Sequence, residues 1–140
     1  MKNVCQNSEE TKAFAAQVAK TAKPGDIFAL FGDLGSGKTT FSQGFIASFG
    51  VSKTVTSPTF VIMKKYAVEG DRVREIVHLD CYRFQSEKDA LAIGLDEFFE
   101  RKDIIALVEW PERIWPLISD KARRLEFKYI TENERLIELQ

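Results

Sequence analysis

With 140 residues, 44% of them hydrophobic, the chain has the usual length of one domain and enough apolar content for a sizeable core. Its 20 Lys and Arg against 21 Asp and Glu leave no overall basic field to hold nucleic acid or an anionic membrane by charge alone, so direct RNA binding is not expected. Cys5 and Cys81 form neither a CxxC pair nor a Cys/His cluster and read as free thiols in a reducing cytosol. The N-terminus reaches Glu9 and Glu10 without an apolar leader core, and no later apolar run approaches the roughly 20 residues that span a bilayer. The expectation is a soluble, cytoplasmic protein without a membrane segment.

In chain order, Asn7 or Ser8 ahead of Glu9 and Glu10 is a helix start, and Phe14 and Val18, with Ala15 and Ala22, give a helical stripe to about Lys23 before Pro24-Gly25. Residues 26–31, ending Ile27-Phe28-Ala29-Leu30-Phe31, are a continuous apolar run suited to a strand buried on both faces. That run leads into a glycine loop, and Lys38 to Phe49 reads as the next helix, closed by Gly50. Residues 52–58, rich in Ser, Thr and Pro, read as a surface loop. Residues 59–68 and 72–81 predict two strands of an antiparallel hairpin around Glu69-Gly70-Asp71. A helix is expected over 86–100, capped by Ser86, with Leu91, Leu95, Phe98 and Phe99 at helical spacing. Residues 104–108 form a second buried-strand run that delivers Glu109, and Pro111 suits a short helix through Ile118. Residues 124–130 and 135–139 read as closing strands.

The glycine loop, Gly32-Asp33-Leu34-Gly35-Ser36-Gly37-Lys38-Thr39, has the spacing Gly-x4-Gly-Lys-Thr. Such glycines let backbone N–H groups turn inward around phosphate oxygens, and the following helix N-terminus adds positive potential. Gly35, Ser36, Gly37, Lys38, Thr39 and Thr40 are the expected nucleotide-binding residues. Lys38 would reach the β- and γ-phosphates, and the Thr39 hydroxyl would serve as a Mg2+ ligand. The fold class that follows is α/β: a P-loop NTPase-like mixed sheet, with a parallel core, an antiparallel hairpin and C-terminal strands, flanked by helices.

A P-loop also needs an acidic residue at a strand end. Glu109, after the more buried run, is read as the Mg2+-side carboxylate and Asp80 as the residue orienting water; the reverse assignment stays open. His78 reads as a hydrogen-bonded structural residue without a catalytic role. Arg83 could meet phosphate or form a surface ion pair, and Trp110 could stack on a base or pack in the core. The loop Thr56-Ser57-Pro58-Thr59 has the hydroxyl content of a γ-phosphate-sensing switch, or of a plain turn.

Four stretches, taken together, resemble one family. Gly32 to Phe41, Ser57-Pro58-Thr59-Phe60, His78-Leu79-Asp80-Cys81-Tyr82-Arg83 and Val108-Glu109-Trp110-Pro111-Glu112 are similar, in order, to motifs of the bacterial TsaE (YjeE-like) ATPases, which act in making threonylcarbamoyladenosine in tRNA. Ser36 stands where Ala is common in that family. The resemblance implies ATP hydrolysis with Mg2+, catalytic roles for Lys38, Asp80 and Glu109, metal contacts from Thr39 and Glu109, a switch at Thr59 or its loop, and a nucleotide-bordering Thr11. It also implies partner proteins, TsaB-like and TsaD-like, with tRNA met only through the complex. Two other readings of the same loop are a nucleotide-gated assembly module with little turnover and a small-molecule kinase, although no Arg-bearing lid segment follows the loop. The Asn-Lys-x-Asp pattern of guanine readers is absent, which leans toward ATP.

Overall fold

The structure, a computed structural model, describes residues 1–53, 55 and 62–140. The Ser57-Pro58-Thr59-Phe60 element, the expected switch at Thr59 and the start of the expected hairpin lie outside the described residues. The elements are β1 (Lys2–Cys5), α1 (Ser8–Lys20), β2 (Ile27–Phe31), α2 (Lys38–Ala47), β3 (Met63–Ala67), β4 (Glu75–Asp80), α3 (Glu87–Ala92), α4 (Leu95–Phe98), β5 (Ile104–Glu109), a 3-10 turn (Pro111–Ile114), α5 (Trp115–Ile118), β6 (Ala122–Tyr129) and β7 (Arg135–Leu139).

The strands form one seven-stranded sheet in the order β1-β7-β6-β2-β5-β4-β3. β6, β2, β5 and β4 run parallel, and β3, β7 and β1 join antiparallel to their neighbours. The mixed α/β architecture is thus the one the residue patterns imply. β2 and β5 are central, so their residues face apolar layers on both sides. That is why Ile27-Phe28-Ala29-Leu30 and Ile104 to Val108 are unbroken apolar runs rather than alternating ones.

Each face of the sheet carries its own core. Phe28, Leu30, Ile105 and Leu107 point to one side, where Phe14 and Val18 of α1 and Phe41 and Phe45 of α2 cover them. Ile27, Ala29, Ala106 and Val108 point to the other, against Ala90, Leu95, Phe99, Ile114 and Ile118. Helix α1 starts where the sequence places it: the Asn7 side chain accepts the Glu10 N–H at 2.8 Å, an N-cap ahead of two first-turn glutamates. The thiols of Cys5 and Cys81 are free and buried, and burial pushes the Cys81 thiol up to about 12.

Four details depart from the expectation. The helix over 86–100 is two short helices, because Gly94 takes φ +78 between them, and a left-handed residue cannot continue a right-handed turn. The hairpin strands are shorter than expected, β4 beginning only at Glu75. β6 begins two residues early, at Ala122, where it pairs with Ile27 of β2. β1 was not expected at all: Lys2–Cys5 has only Cys5 buried, and its pairing with β7 makes it a strand. No helix among the described residues is long and apolar enough to cross a membrane.

Helices α1 and α2 approach closely at Gly44, where an added Cβ would lie 2.6 Å from the Lys12 Cα and 2.8 Å from its carbonyl oxygen. Alanine normally gains about 1 kcal/mol over glycine inside a helix. Here the neighbour is backbone, which cannot swing aside, and overpacking of this kind costs about 1–3 kcal/mol. Gly44→Ala is therefore expected to lower the midpoint of urea or thermal unfolding; a midpoint at or above the parent's would mean the helices separate freely.

Candidate functional site

The site is built where β2, β4 and β5 end together on the sheet's carboxyl edge. Their parallel register sets Asp80 directly beside Glu109, and Glu109 beside Leu30 of β2. The chain then leaves β2 as the glycine loop and enters α2, so the helix N-terminus faces both carboxylates.

The loop's local geometry follows from its glycines. A Cβ on Gly32 would sit 2.6 Å from the Ser36 Oγ and 2.9 Å from the Phe127 carbonyl oxygen, so only glycine lets the loop fold back against β6. Gly37 is the N-cap of α2 at φ +102, in the left-handed region, with no side-chain cap. The first-turn N–H groups of Lys38, Thr39 and Thr40 have no partner within the helix by construction, and all three residues line the cavity. The Ser36 hydroxyl turns inward instead. It is buried without a hydrogen-bond partner among the described residues, and the Ser36 N–H donates to the Asp33 carbonyl at 3.1 Å.

Lys38 is buried, and its Nζ donates to the Gly32 carbonyl at 2.6 Å, closing the loop on itself. The same ammonium lies 4.3 Å from the centre of the Trp110 ring. Burial pulls its pKa down, while Glu109, Glu112, Asp80 and Asp33 push it back up. Burial likewise raises the Asp80 carboxyl, with Glu109 adding to the rise and a hydrogen bond from the Tyr82 N–H opposing it. Titratable groups perturbed by burial and by one another in a single cavity mark it as a candidate functional site.

Glu109 is buried, and its Oε2 lies 2.6 Å from His78 Nε2. His78 is thus hydrogen-bonded inside the protein, as read from the sequence, but its partner is a site carboxylate. Trp110 takes φ +54, the sole non-glycine residue with positive φ among those described, and this backbone turn swings its ring over Lys38 and against Tyr82, 5.2 Å between ring centres. Of its two sequence readings the packing one holds, since it packs against the apolar layer behind β5; it also lines the cavity. Arg83 is exposed and lies outside the cavity lining.

The cavity in front of these groups has a volume of about 760 Å³. Gly35, Gly37, Lys38, Thr39 and Thr40 form its floor, Asp80 and Glu109 one wall, and Thr11 with Asn7 and Ser8 the α1 side. Among the described residues, the cavity therefore brings together Thr11, Gly35, Gly37, Lys38, Thr39, Thr40, Asp80 and Glu109, and of the expected nucleotide- and metal-binding residues it leaves out Ser36. It also adds residues that sequence reasoning missed. Glu132 and Asn133, in the β6–β7 turn, and Arg135 line the far wall. The Arg135 Nε donates to the Gly35 carbonyl at 3.0 Å, and its Nη1 donates to the Thr131 carbonyl at 2.6 Å, tying the glycine loop to that turn. Asn7 and Ser8 carried a signal, but only as helix caps. Arg135 carried none, because a hundred residues separate it from the loop it holds.

The sequence matches the family model described as threonylcarbamoyl adenosine biosynthesis protein TsaE over residues 5–137. The chain belongs to the TsaE family. It is 43% identical over 131 residues to the tRNA threonylcarbamoyladenosine biosynthesis protein TsaE of Bacillus subtilis, covering 94% of this chain and 79% of that one. It is 34% identical to the TsaE of Rickettsia felis, covering 95% of this chain and 75% of that one. Among solved structures, it resembles Bacillus subtilis YdiB with a TM-score of 0.80 and 36% identity, covering 99% of this chain and 83% of that one. In this TsaE-family chain the glycine loop and the two strand-end carboxylates share one cavity.

Proposed function

We propose that this chain binds ATP with Mg2+ and hydrolyses it as a subunit of the cytoplasmic machinery that makes threonylcarbamoyladenosine in tRNA, acting with TsaB-like and TsaD-like partners. The observation that carries the reading is the position of Lys38: a buried ammonium at the N-terminus of α2, held to Gly32 and facing Asp80 and Glu109 across a cavity large enough for a nucleotide.

The residues present fit both groups. The glycine cradle excludes side chains from the loop backbone, and the free N–H groups at the start of α2 suit phosphate oxygens. Thr39 supplies a hydroxyl and Asp80 and Glu109 supply carboxylates, all oxygen donors of the kind a small hard cation takes alongside water. Bound Mg2+ would offset negative charge on the phosphates. Lys38 would lie against the β- and γ-phosphate oxygens, exchanging its bond to Gly32 for stronger charge-assisted ones. Of the two carboxylates, Glu109 is the better candidate to stand beside Mg2+ with Thr39, because its other oxygen is already held by His78. Asp80 is half-exposed, accepts the Tyr82 N–H, and is free to orient water. Thr11, together with the turn at Glu132 and Asn133, would border the rest of the nucleotide.

The near-balanced net charge gives the chain no overall basic field to hold tRNA by charge alone, which supports contact with tRNA through partners. Hydrolysis is then expected to be slow for the isolated chain and faster in the assembled complex. The test is phosphate release from ATP with and without TsaB and TsaD, against a Lys38→Ala control. Equal rates alone and in the complex would overturn the coupling, and a phosphorylated acceptor in place of free phosphate would turn the reading into a kinase.

A further inference from the structure

His78 is fully buried in the middle of β4, two residues before Asp80 on the same face of the sheet, and opposite Leu107 of β5. Leu107 and Glu109 share that face, so the parallel register brings the imidazole alongside the Glu109 carboxylate, with Nε2 to Oε2 at 2.6 Å. An ionised carboxylate can only accept, so Nε2 is the nitrogen that carries hydrogen in this bond. Nδ1 is buried and has no partner among the described residues.

A histidine kept for core stability would be expected to satisfy both nitrogens or to give way to an apolar residue, because an unpartnered buried polar atom carries a cost. His78 instead spends its one bond on a carboxylate at the edge of the cavity. The bond holds Glu109 by Oε2 and leaves Oε1 as the oxygen that can serve the cavity. Ligand carboxylates are commonly held in this way by a partner behind them, which fixes their rotamer before anything binds.

We propose that His78 is a positioning residue for nucleotide hydrolysis, acting through Glu109 by fixing which carboxylate oxygen and which rotamer the site presents. The proposal rests on the reading of Glu109 as a hydrolytic-site carboxylate. Lys38, Thr39 and the glycine loop hold the phosphates without its help, so losing the His78 bond should slow turnover and leave nucleotide binding intact.

Two variants separate position from bulk. His78→Gln carries an amide N–H close to where Nε2 sits, whereas the shorter His78→Asn reaches only as far as Nδ1 and cannot make the bond. In phosphate-release assays with TsaB and TsaD present, His78→Asn is expected to lower kcat by about tenfold to a hundredfold, the usual size of such supporting contacts, and His78→Gln to recover most of that loss. KM for ATP and the affinity of the chain for a fluorescent ADP analogue should stay within about threefold, the phosphate contacts being untouched. In a Glu109→Gln background, His78→Asn should cause no further loss of kcat, since a residue acting only through Glu109 has nothing left to position.

A readout independent of turnover comes from the ring nitrogens of His78 in the nucleotide-free chain, observed by NMR. They should report hydrogen on Nε2, with a signal that moves in Glu109→Gln. A His78→Asn chain as fast as the parent, a loss that His78→Gln does not repair, an additive loss in the Glu109→Gln background, or hydrogen found on Nδ1 would each overturn the positioning role. In all of these cases Lys38→Ala and Glu109→Gln would still lower turnover by about a hundredfold or more, leaving the proposed function standing. A parent chain with no phosphate release above the Lys38→Ala control would instead remove the proposed function, and the role of His78 with it.

Discussion

Lys38→Ala is expected to abolish nucleotide hydrolysis, with a fall of about a hundredfold to a thousandfold, the scale on which removing a preorganised charge from an active site acts. The ammonium is already desolvated, bonded to Gly32 and surrounded by Asp33, Asp80, Glu109 and Glu112, so only its bond to Gly32 has to be exchanged when phosphate arrives. Its loss removes the positive charge nearest the reacting phosphates and leaves two carboxylates facing them. Affinity for nucleotide should fall as well, by about tenfold to a hundredfold for the loss of charge-assisted hydrogen bonds. Lys38→Met is the companion variant, because it keeps an apolar stem against Trp110 while removing the charge. If both variants lose activity and keep the parent's circular dichroism spectrum, the charge is responsible. A Lys38→Met chain that hydrolysed ATP at the parent's rate would sink the assignment.

Glu109→Gln should separate binding from hydrolysis. The replacement has nearly the same volume, and its amide oxygen can still accept from His78 Nε2, so the β4–β5 edge should remain in place. What disappears is the negative charge. Phosphate release is expected to drop by about a hundredfold or more, within the range for removing an acid–base or metal-side carboxylate. Affinity for an ADP analogue should change by less than about threefold, since the loop contacts persist. Asp80 should also lose one of the influences that raise its pKa, so its carboxyl should titrate at lower pH than in the parent. If Glu109→Gln kept full activity and Asp80→Asn lost it, the two carboxylates would exchange roles. A Glu109→Gln chain that failed to hydrolyse ATP yet supported many rounds of tRNA modification would favour a nucleotide-gated assembly module.

The chemistry-bearing parts of the site were legible wherever they are contiguous in the chain. Gly32 to Thr39 carries its own explanation, since each glycine answers to a local backbone demand and Lys38 follows at a set distance. Asp80 and Glu109 were legible as strand-end carboxylates because apolar runs lead directly into them. The residue pattern put Glu109 on the Mg2+ side and left the reverse assignment open; what it did not show is that a third residue holds one of the two. His78 looked like an ordinary buried histidine until the register of β4 against β5 gave it Glu109 as its partner. Trp110 similarly allowed two readings, and the turn at φ +54 decided that its ring lies over Lys38.

Misreadings of local structure have equally specific causes. Helical spacing from Leu91 to Phe99 outweighed the glycine at 94, although a glycine inside a helical pattern is itself a warning. β1 has no alternation to detect and becomes a strand only by pairing with β7, at the other end of the chain.

By itself, then, the sequence determined the glycine loop, the helix it opens, the two buried central strands and the acidic residues at the strand ends, all features governed by neighbours a few residues apart. Only the tertiary structure decided that Asp80 and Glu109 stand side by side, that His78 holds one of them, that Arg135 ties the loop to the β6–β7 turn, and that Thr11 faces the same cavity. Those relations are set by strand register and helix packing between segments tens of residues apart, and no periodicity within a single segment encodes them.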